Sequence, residues 1–294
     1  MQTPAPVDYA RAHSVDEALD MLERYGPDSR LIAGGHSLIP MMRLRIAQPE
    51  RVIDINDLHD LDYIRAISTA DANYLAIGAM TRHRTVLASP VIGEHYAILH
   101  DAERVIADPI VRNRGTVGGS LCQADPAEDL TAVLSALRAD AVIRSRNGSR
   151  TVPVRELGDG PYQTVLDDAE ILTEVRIPIR PGVGSAYQKV ERRTGDWAVA
   201  AVGAYLVLDG DTVRDVGIGM AALGAEHGCA PDAEEYLRGH ELTADAIEEA
   251  GRLAAAACHP SADQRGPVAY KRHLADELTR RALRRAADRA QGRI

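Results

Sequence analysis

The sequence predicts an α+β protein assembled from several compact lobes, and three observations carry that prediction. Ser29 to Ala33, Ser37 to Leu44 and Arg51 to Ile55 read as strand, helix and strand within about 25 residues, a small βαβ unit. Tyr187–Arg192, Ala198–Leu208 and Val213–Leu223 read as antiparallel strands, followed by two amphipathic helices. Two glycine pairs, Gly34-Gly35 and Gly118-Gly119, each follow an apolar stretch and each lead into a candidate helix. A chain of 294 residues with 45% apolar composition has enough material for one large core or two to three smaller ones.

Ser14-Val15-Asp16-Glu17 has the capping-box pattern, and Val15, Ala18, Leu19 and Leu22 recur at helical spacing until Gly26-Pro27 stops the segment. The βαβ unit follows, with Pro40 near the start of its helix. Tyr74–Ala79 begins a second lobe as a strand, Thr81–Leu87 starts a helix that Pro90 interrupts, and His95–Ile106 is helical again. Asp125-Pro126 reads as a helix start, with Asp as the cap, Pro in the first turn, and Leu130, Val133, Leu134 and Leu137 as the buried stripe. Ala141–Ile143, Thr151–Val154 and Ile171–Ile177 are strands completing this lobe, and Pro178 with Pro181-Gly182 marks a break. Asp209-Gly210-Asp211-Thr212 joins two strands of the third lobe, and helices near 244–257 and 268–290 pack on one face of its sheet. The expected divisions are 1–57, 58–179 and 180–294.

Both glycine pairs read as anion cradles. Gly lets successive backbone N–H groups turn toward a phosphate that a side chain would hold away, and two such loops suit a diphosphate. The dinucleotide fingerprint G-x-G-x-x-G does not fit, because the glycines are adjacent and a third is missing, and no G-x-x-x-x-G-K-[ST] occurs. A net charge of −9 and a pI near 5.6 argue against nucleic acid or an anionic membrane as the main partner. The Arg-rich stretch from Arg280 to Arg293 reads as a solvated helix face. Met1-Gln2-Thr3-Pro4-Ala5-Pro6 has no secretory pattern, and no run of about 18 apolar residues predicts membrane insertion, so a cytoplasmic protein is expected. Cys122, Cys229 and Cys258 are too dispersed for a metal or iron–sulfur site.

Three segments occur in a recognisable order: Ala33-Gly34-Gly35-His36-Ser37-Leu38-Ile39-Pro40, then Thr116-Val117-Gly118-Gly119-Ser120 through Ala124-Asp125-Pro126-Ala127-Glu128-Asp129, then Lys189-Val190-Glu191-Arg192-Arg193-Thr194-Gly195-Asp196-Trp197. In this the chain resembles, over nearly its whole length, the FAD-binding medium subunits of molybdenum hydroxylases in the xanthine dehydrogenase superfamily, most closely their carbon monoxide dehydrogenase branch. The resemblance implies a two-lobed FAD-binding domain of the vanillyl-alcohol-oxidase (PCMH) type, followed by a CO-dehydrogenase-flavoprotein C-terminal domain. It implies FAD lying between the lobes, on Leu31, Ile32, Ala33, Gly34, Gly35, His36, Ser37 and Leu38 and on Thr116, Gly118, Gly119 and Ser120. Ile106 and Leu172 would line it, Asp125 and Asp129 would stand near the nucleotide, and Lys189 and Trp197 would approach the flavin from the third lobe. Ser120 departs from the Asn that often ends the second loop.

The implied function is an electron-transfer flavoprotein, an oxidoreductase subunit with no catalytic or metal residue of its own. A small iron–sulfur subunit with 2Fe-2S clusters would deliver electrons, a large molybdopterin subunit would oxidise the substrate, carbon monoxide among the candidates, and an external acceptor would collect the electrons. The implied assembly is a heterohexamer, a dimer of heterotrimers. Taken one by one, the residues keep plainer readings open: His36 satisfying a turn, Asp125 as a helix cap, Asp129 as helix-dipole decoration, Lys189 as a surface lysine, Arg192 and Arg193 as surface or interface charges, and Trp197 as core packing. A self-sufficient FAD oxidase and a non-catalytic scaffold are the alternative readings of the whole chain.

Overall fold

In the computed structural model, which describes residues 3–70 and 73–294, three sheets carry the described chain. Met1 and Gln2, the head of the leader-free start expected from the sequence, lie outside the described residues. The first sheet holds β1 (Asp8–Arg11), β2 (Ser29–Ile32) and β3 (Arg51–Asp54) in the order β1-β3-β2, with both pairings parallel. Parallel neighbours need crossovers, which α1 (Val15–Tyr25) and α2 (Leu38–Arg43) supply. The Ser14 hydroxyl accepts from the Glu17 N–H, as the capping box predicts, but the Glu17 carboxylate reaches one residue further back, to the His13 N–H at 2.8 Å. Ala18, Leu19 and Leu22 seal the helix onto Ile53 and Ile55. The sequence reading lacks β1, because Asp-Tyr-Ala-Arg shows no apolar alternation and is almost wholly exposed.

The second sheet is antiparallel, in the order β4-β5-β8-β6-β7. Its strands β4 (Ile64–Ser68) and β5 (Asn73–Gly78) precede a helical run of α3 (His83–Ala88), α4 (Pro90–His95), α5 (Ala97–Val105), α6 (Pro109–Arg114), α7 (Val117–Gln123) and α8 (Asp129–Ala136). Then come β6 (Asp140–Ser145), β7 (Gly148–Pro153) and β8 (Ile171–Pro178). The helix expected over 95–106 is α5, which starts two residues later because Tyr96 turns to extended backbone between α4 and α5 and buries its ring, its hydroxyl donating to the Pro178 carbonyl. The helix expected to start at Asp125-Pro126 begins instead at Asp129. Asp125 closes a turn, its carboxylate accepting the Ala127 N–H at 2.9 Å, and extended backbone at Glu128 separates that turn from the helix.

The third sheet, β11-β10-β9, consists of β9 (Val183–Glu191), β10 (Ala198–Asp209) and β11 (Thr212–Ala221), antiparallel as predicted. After it come α9 (Pro231–Leu237), α10 (Ala244–Ala256) and α11 (Val268–Ala290). α11 lies along β9 and β10, α10 packs on α11, and α5 and α8 cover the opposite face, so the sheet is the middle of three layers. Ion pairs pin that second interface: Arg138 to Asp215 at 3.0 Å and to Glu234 at 3.1 Å, and Arg289 to the half-buried Asp101 at 2.6 Å. The Arg-rich end of α11 is therefore partly a docking face, although Arg281 and Arg293 are solvated as expected. No described helix is long and apolar enough to cross a membrane.

Candidate functional site

A cleft of about 1100 Å³ opens where the three parts of the fold meet. Its walls are the loop from β2 to α2, the first turn of α7, and the turn leading into β10. Gly34 sets the distance between the first two. A Cβ there would stand 2.4 Å from the Arg114 carbonyl oxygen, so only glycine lets the loop lie against the second lobe. Asn56 bolts the contact, donating to the Ala33 carbonyl at 2.7 Å and accepting from Arg82 at 2.8 Å, while Arg82 also donates to the Arg114 carbonyl.

The two glycine pairs, alike in sequence, do different things. Among the described residues, the N–H groups of Gly34, Gly35, His36 and Ser37 donate to no protein acceptor, and Gly35 takes the left-handed φ of 78° that lets the loop turn them outward. The second pair is no loop but the first turn of α7, and its donors are committed. Val117 donates to Thr81 at 3.0 Å, Gly118 to Ala79 at 2.8 Å, and Gly119 to the Thr116 hydroxyl at 3.0 Å. What this pair gives is a flat surface: a Cβ on Gly118 would meet Ala79 at 2.7 Å, and Gly119 is exposed bare backbone.

Behind that surface lies a buried chain of polar groups. Ser120 lines the cleft, with its Oγ 3.0 Å from His83 Nε2. His83 Nδ1 stands 3.0 and 3.1 Å from the two oxygens of Glu103, which is fully buried. Burial works against the imidazolium, but the Glu103 charge and hydrogen bond outweigh it and raise the His83 pKa. Glu128 also lines the cleft, and burial with the neighbouring Asp129 charge pushes its carboxyl up to about 7.

Period-two alternation on β9 aims Tyr187, Lys189 and Glu191 at the same side, toward α5 and α8. The Tyr187 hydroxyl donates to Asp129 at 2.6 Å, and Lys189 Nζ to its other oxygen at 2.8 Å and to the Val105 carbonyl at 3.1 Å. Burial raises the Asp129 carboxyl, with Lys189 and Tyr187 opposing it; burial and Asp129 hold the Tyr187 proton in place. Lys189 is within 3.4 Å of Glu191, whose other oxygen accepts the Gly195 N–H at 3.2 Å. The network thus runs from Asp129 to the turn bearing Trp197.

Residues 5–180 match the family described as the FAD binding domain in molybdopterin dehydrogenase, and residues 185–286 the CO dehydrogenase flavoprotein C-terminal domain. The chain belongs to this family. It is 38% identical to the carbon monoxide dehydrogenase medium chain of Hydrogenophaga pseudoflava, over 96% of this chain and 98% of that one. It is 37% identical to the nicotine 6-hydroxylase medium subunit of Paenarthrobacter nicotinovorans, over 98% and 100%. The solved structure of carbon monoxide dehydrogenase from Hydrogenophaga pseudoflava superimposes with a TM-score of 0.93 at 39% identity, covering 98% of this chain and 99% of that one. The flavoprotein fold expected from the resemblance is borne out, as is the place of the chain among FAD-carrying medium subunits of molybdenum hydroxylases. The designation medium chain implies companion small and large subunits.

Of the residues singled out in the sequence, Leu31 to Leu38, Ile106, Thr116, Gly118, Gly119, Ser120, Asp129, Leu172 and Trp197 line the cleft. His36 is exposed and Trp197 is 40% exposed, so the indole is not core packing. Asp125 and Lys189 do not line it. Asp125 serves its turn and accepts from Tyr162 at 3.2 Å. Lys189, expected to reach a flavin or else to sit on the surface, is not a surface residue: its side chain is 3% exposed and stands one residue behind the wall, holding Asp129. Sequence reasoning missed His83, Glu103 and Asn56. One signal was legible, since Glu103 falls on the apolar stripe of α5 with Leu99 and Ile106, where an acid needs a partner.

Proposed function

We propose that the cleft holds FAD with its diphosphate on the Gly34–Ser37 loop. The observation that supports this most is the row of unpaired N–H groups on a loop whose glycines leave no room for side chains. The flat Gly118-Gly119 surface, the fixed acceptor Asp129 and the exposed Trp197 fit the rest of an extended dinucleotide. FAD, when bound, supplies the ability to take electrons singly and release them in pairs. The chain supplies binding and electrostatics. Gly34 to Ser37 hold the anion, Asp129 stays an acceptor because Lys189 and Tyr187 donate to it, and the Lys189 charge acts on the cofactor from behind that carboxylate.

Among the described residues no group of His, Cys, Asp or Glu is arranged to hold a metal, and the ligand set for an iron–sulfur cluster is absent from the sequence. Substrate oxidation thus falls to a large molybdopterin subunit and electron delivery to a small 2Fe-2S subunit, in a dimer of heterotrimers that passes electrons to an external acceptor in the cytoplasm. Carbon monoxide is one candidate substrate. The near-equal identities to a carbon monoxide dehydrogenase and a nicotine hydroxylase chain favour neither. The test is FAD titration of the purified chain and of Gly35→Asp. The wild type should bind one FAD and the variant none, because a side chain at the left-handed φ of Gly35 strains the loop and its carboxylate repels phosphate, with circular dichroism checking that the rest of the chain folds. Full flavin occupancy in a folded Gly35→Asp would overturn the assignment.

A further inference from the structure

His83 of the buried His83–Glu103 pair reaches the cleft wall, where its hydrogen-bond partner is Ser120. Glu103 spends both oxygens on His83 Nδ1, and both side chains are sealed, at 0% and 2% exposure. Nδ1 beside a carboxylate keeps its proton, so Nε2 is the nitrogen that titrates, and Ser120 Oγ stands 3.0 Å from it. A serine hydroxyl has one proton. When Nε2 carries a hydrogen it donates to Oγ, and the hydroxyl proton is free to point into the cleft. When Nε2 is bare it takes the hydroxyl proton, and the cleft sees only serine lone pairs. An FAD presents acceptors along its diphosphate and ring edges, so the two states differ in what they offer it.

We propose that His83, clamped by Glu103, is a positioning residue that sets the direction of the Ser120 hydroxyl, making it a hydrogen-bond donor to FAD when the imidazole is protonated and withdrawing that donor when it is not. The proposal rests on FAD occupying the cleft. The charges facing the imidazole are Glu103 on α5, Glu128 ahead of α8 and Arg112 on α6, with Ser120 on α7; the two carboxylates favour the proton and Arg112 opposes it. The Glu103 charge and hydrogen bond raise the His83 pKa, which favours the donor state.

The experiment measures FAD dissociation constants of the full chain from about pH 6 to about pH 10, with the His83 imidazole followed by nitrogen NMR. It uses a Glu128→Gln background, which removes the other cleft carboxyl that titrates nearby. Affinity should fall about tenfold as His83 loses its proton, the worth of one donor hydrogen bond. Ser120→Asn carries its own N–H donor, so it should bind tightly with a flat pH profile. Ser120→Ala should be flat and about tenfold weaker at the acid end. Glu103→Gln should move the transition to lower pH. A transition that persists in Ser120→Asn, or a flat profile in the parent chain, overturns the proposal while leaving the flavin reading intact. Absence of FAD binding at every pH overturns that reading, and the hydroxyl switch with it.

Discussion

Glu128 gives the sharpest stability prediction. Its side chain is 7% exposed, and burial, then repulsion from Asp129, lifts its carboxyl to about 7, with His83 offsetting part of the rise. The folded state therefore binds more protons than the unfolded chain between an ordinary glutamate pKa and about 7. Stability falls as pH rises through that window, and the full penalty is present above it. A gap of about 2.5 pH units at ~1.4 kcal/mol each sets the upper bound at ~3.5 kcal/mol. Glu128→Gln keeps the shape and removes the charge. At about pH 8 the variant should melt roughly 5–10 °C above wild type, and at about pH 5, where Glu128 is already protonated, the two should melt together. Thermal unfolding of both proteins at both pH values is the assay. A melting difference of equal size at the two pH values, or a variant less stable at the alkaline one, would refute the reasoning.

Lys189→Met leaves the Asp129 charge buried and unpaired, at an expected cost of about 3–5 kcal/mol in urea unfolding. Adding Asp129→Asn should recover much of that loss, and a double variant no more stable than the single one would show that the pair is not what matters. Trp197 is the one tryptophan of the chain and lines the cleft, so its fluorescence should be quenched by FAD and return when FAD is removed. Identical emission in the folded protein with and without FAD would place the indole outside the flavin site.

The architecture was legible wherever local pattern and tertiary demand agree. The βαβ unit, the long strands of the third sheet and α11 announce themselves through alternation, caps and turn residues. β1 and β4 did not, because both are short, largely exposed strands stabilised by pairing with neighbours. Asp125-Pro126 misled because the same residues that cap helices also close turns. The cleft lining was largely readable from three motifs, yet what lies one layer behind it was not. Nothing local says that Gly118 is pressed on Ala79, that Lys189 spends its charge on Asp129, or that His83 meets a glutamate 20 residues along and a serine 37 residues along. Those are consequences of packing between elements, and only the folded chain displays them.

The central claim is that this chain carries FAD to relay electrons, with substrate oxidation on companion subunits. Anaerobic spectrophotometry of the FAD-loaded chain tests it most directly. The account predicts that the flavin absorbance persists when carbon monoxide, an aldehyde or an N-heterocycle is added to the isolated chain, and that the substrate of the complex bleaches it once the small and large subunits are present. Bleaching of the isolated chain by any of these substrates would contradict it.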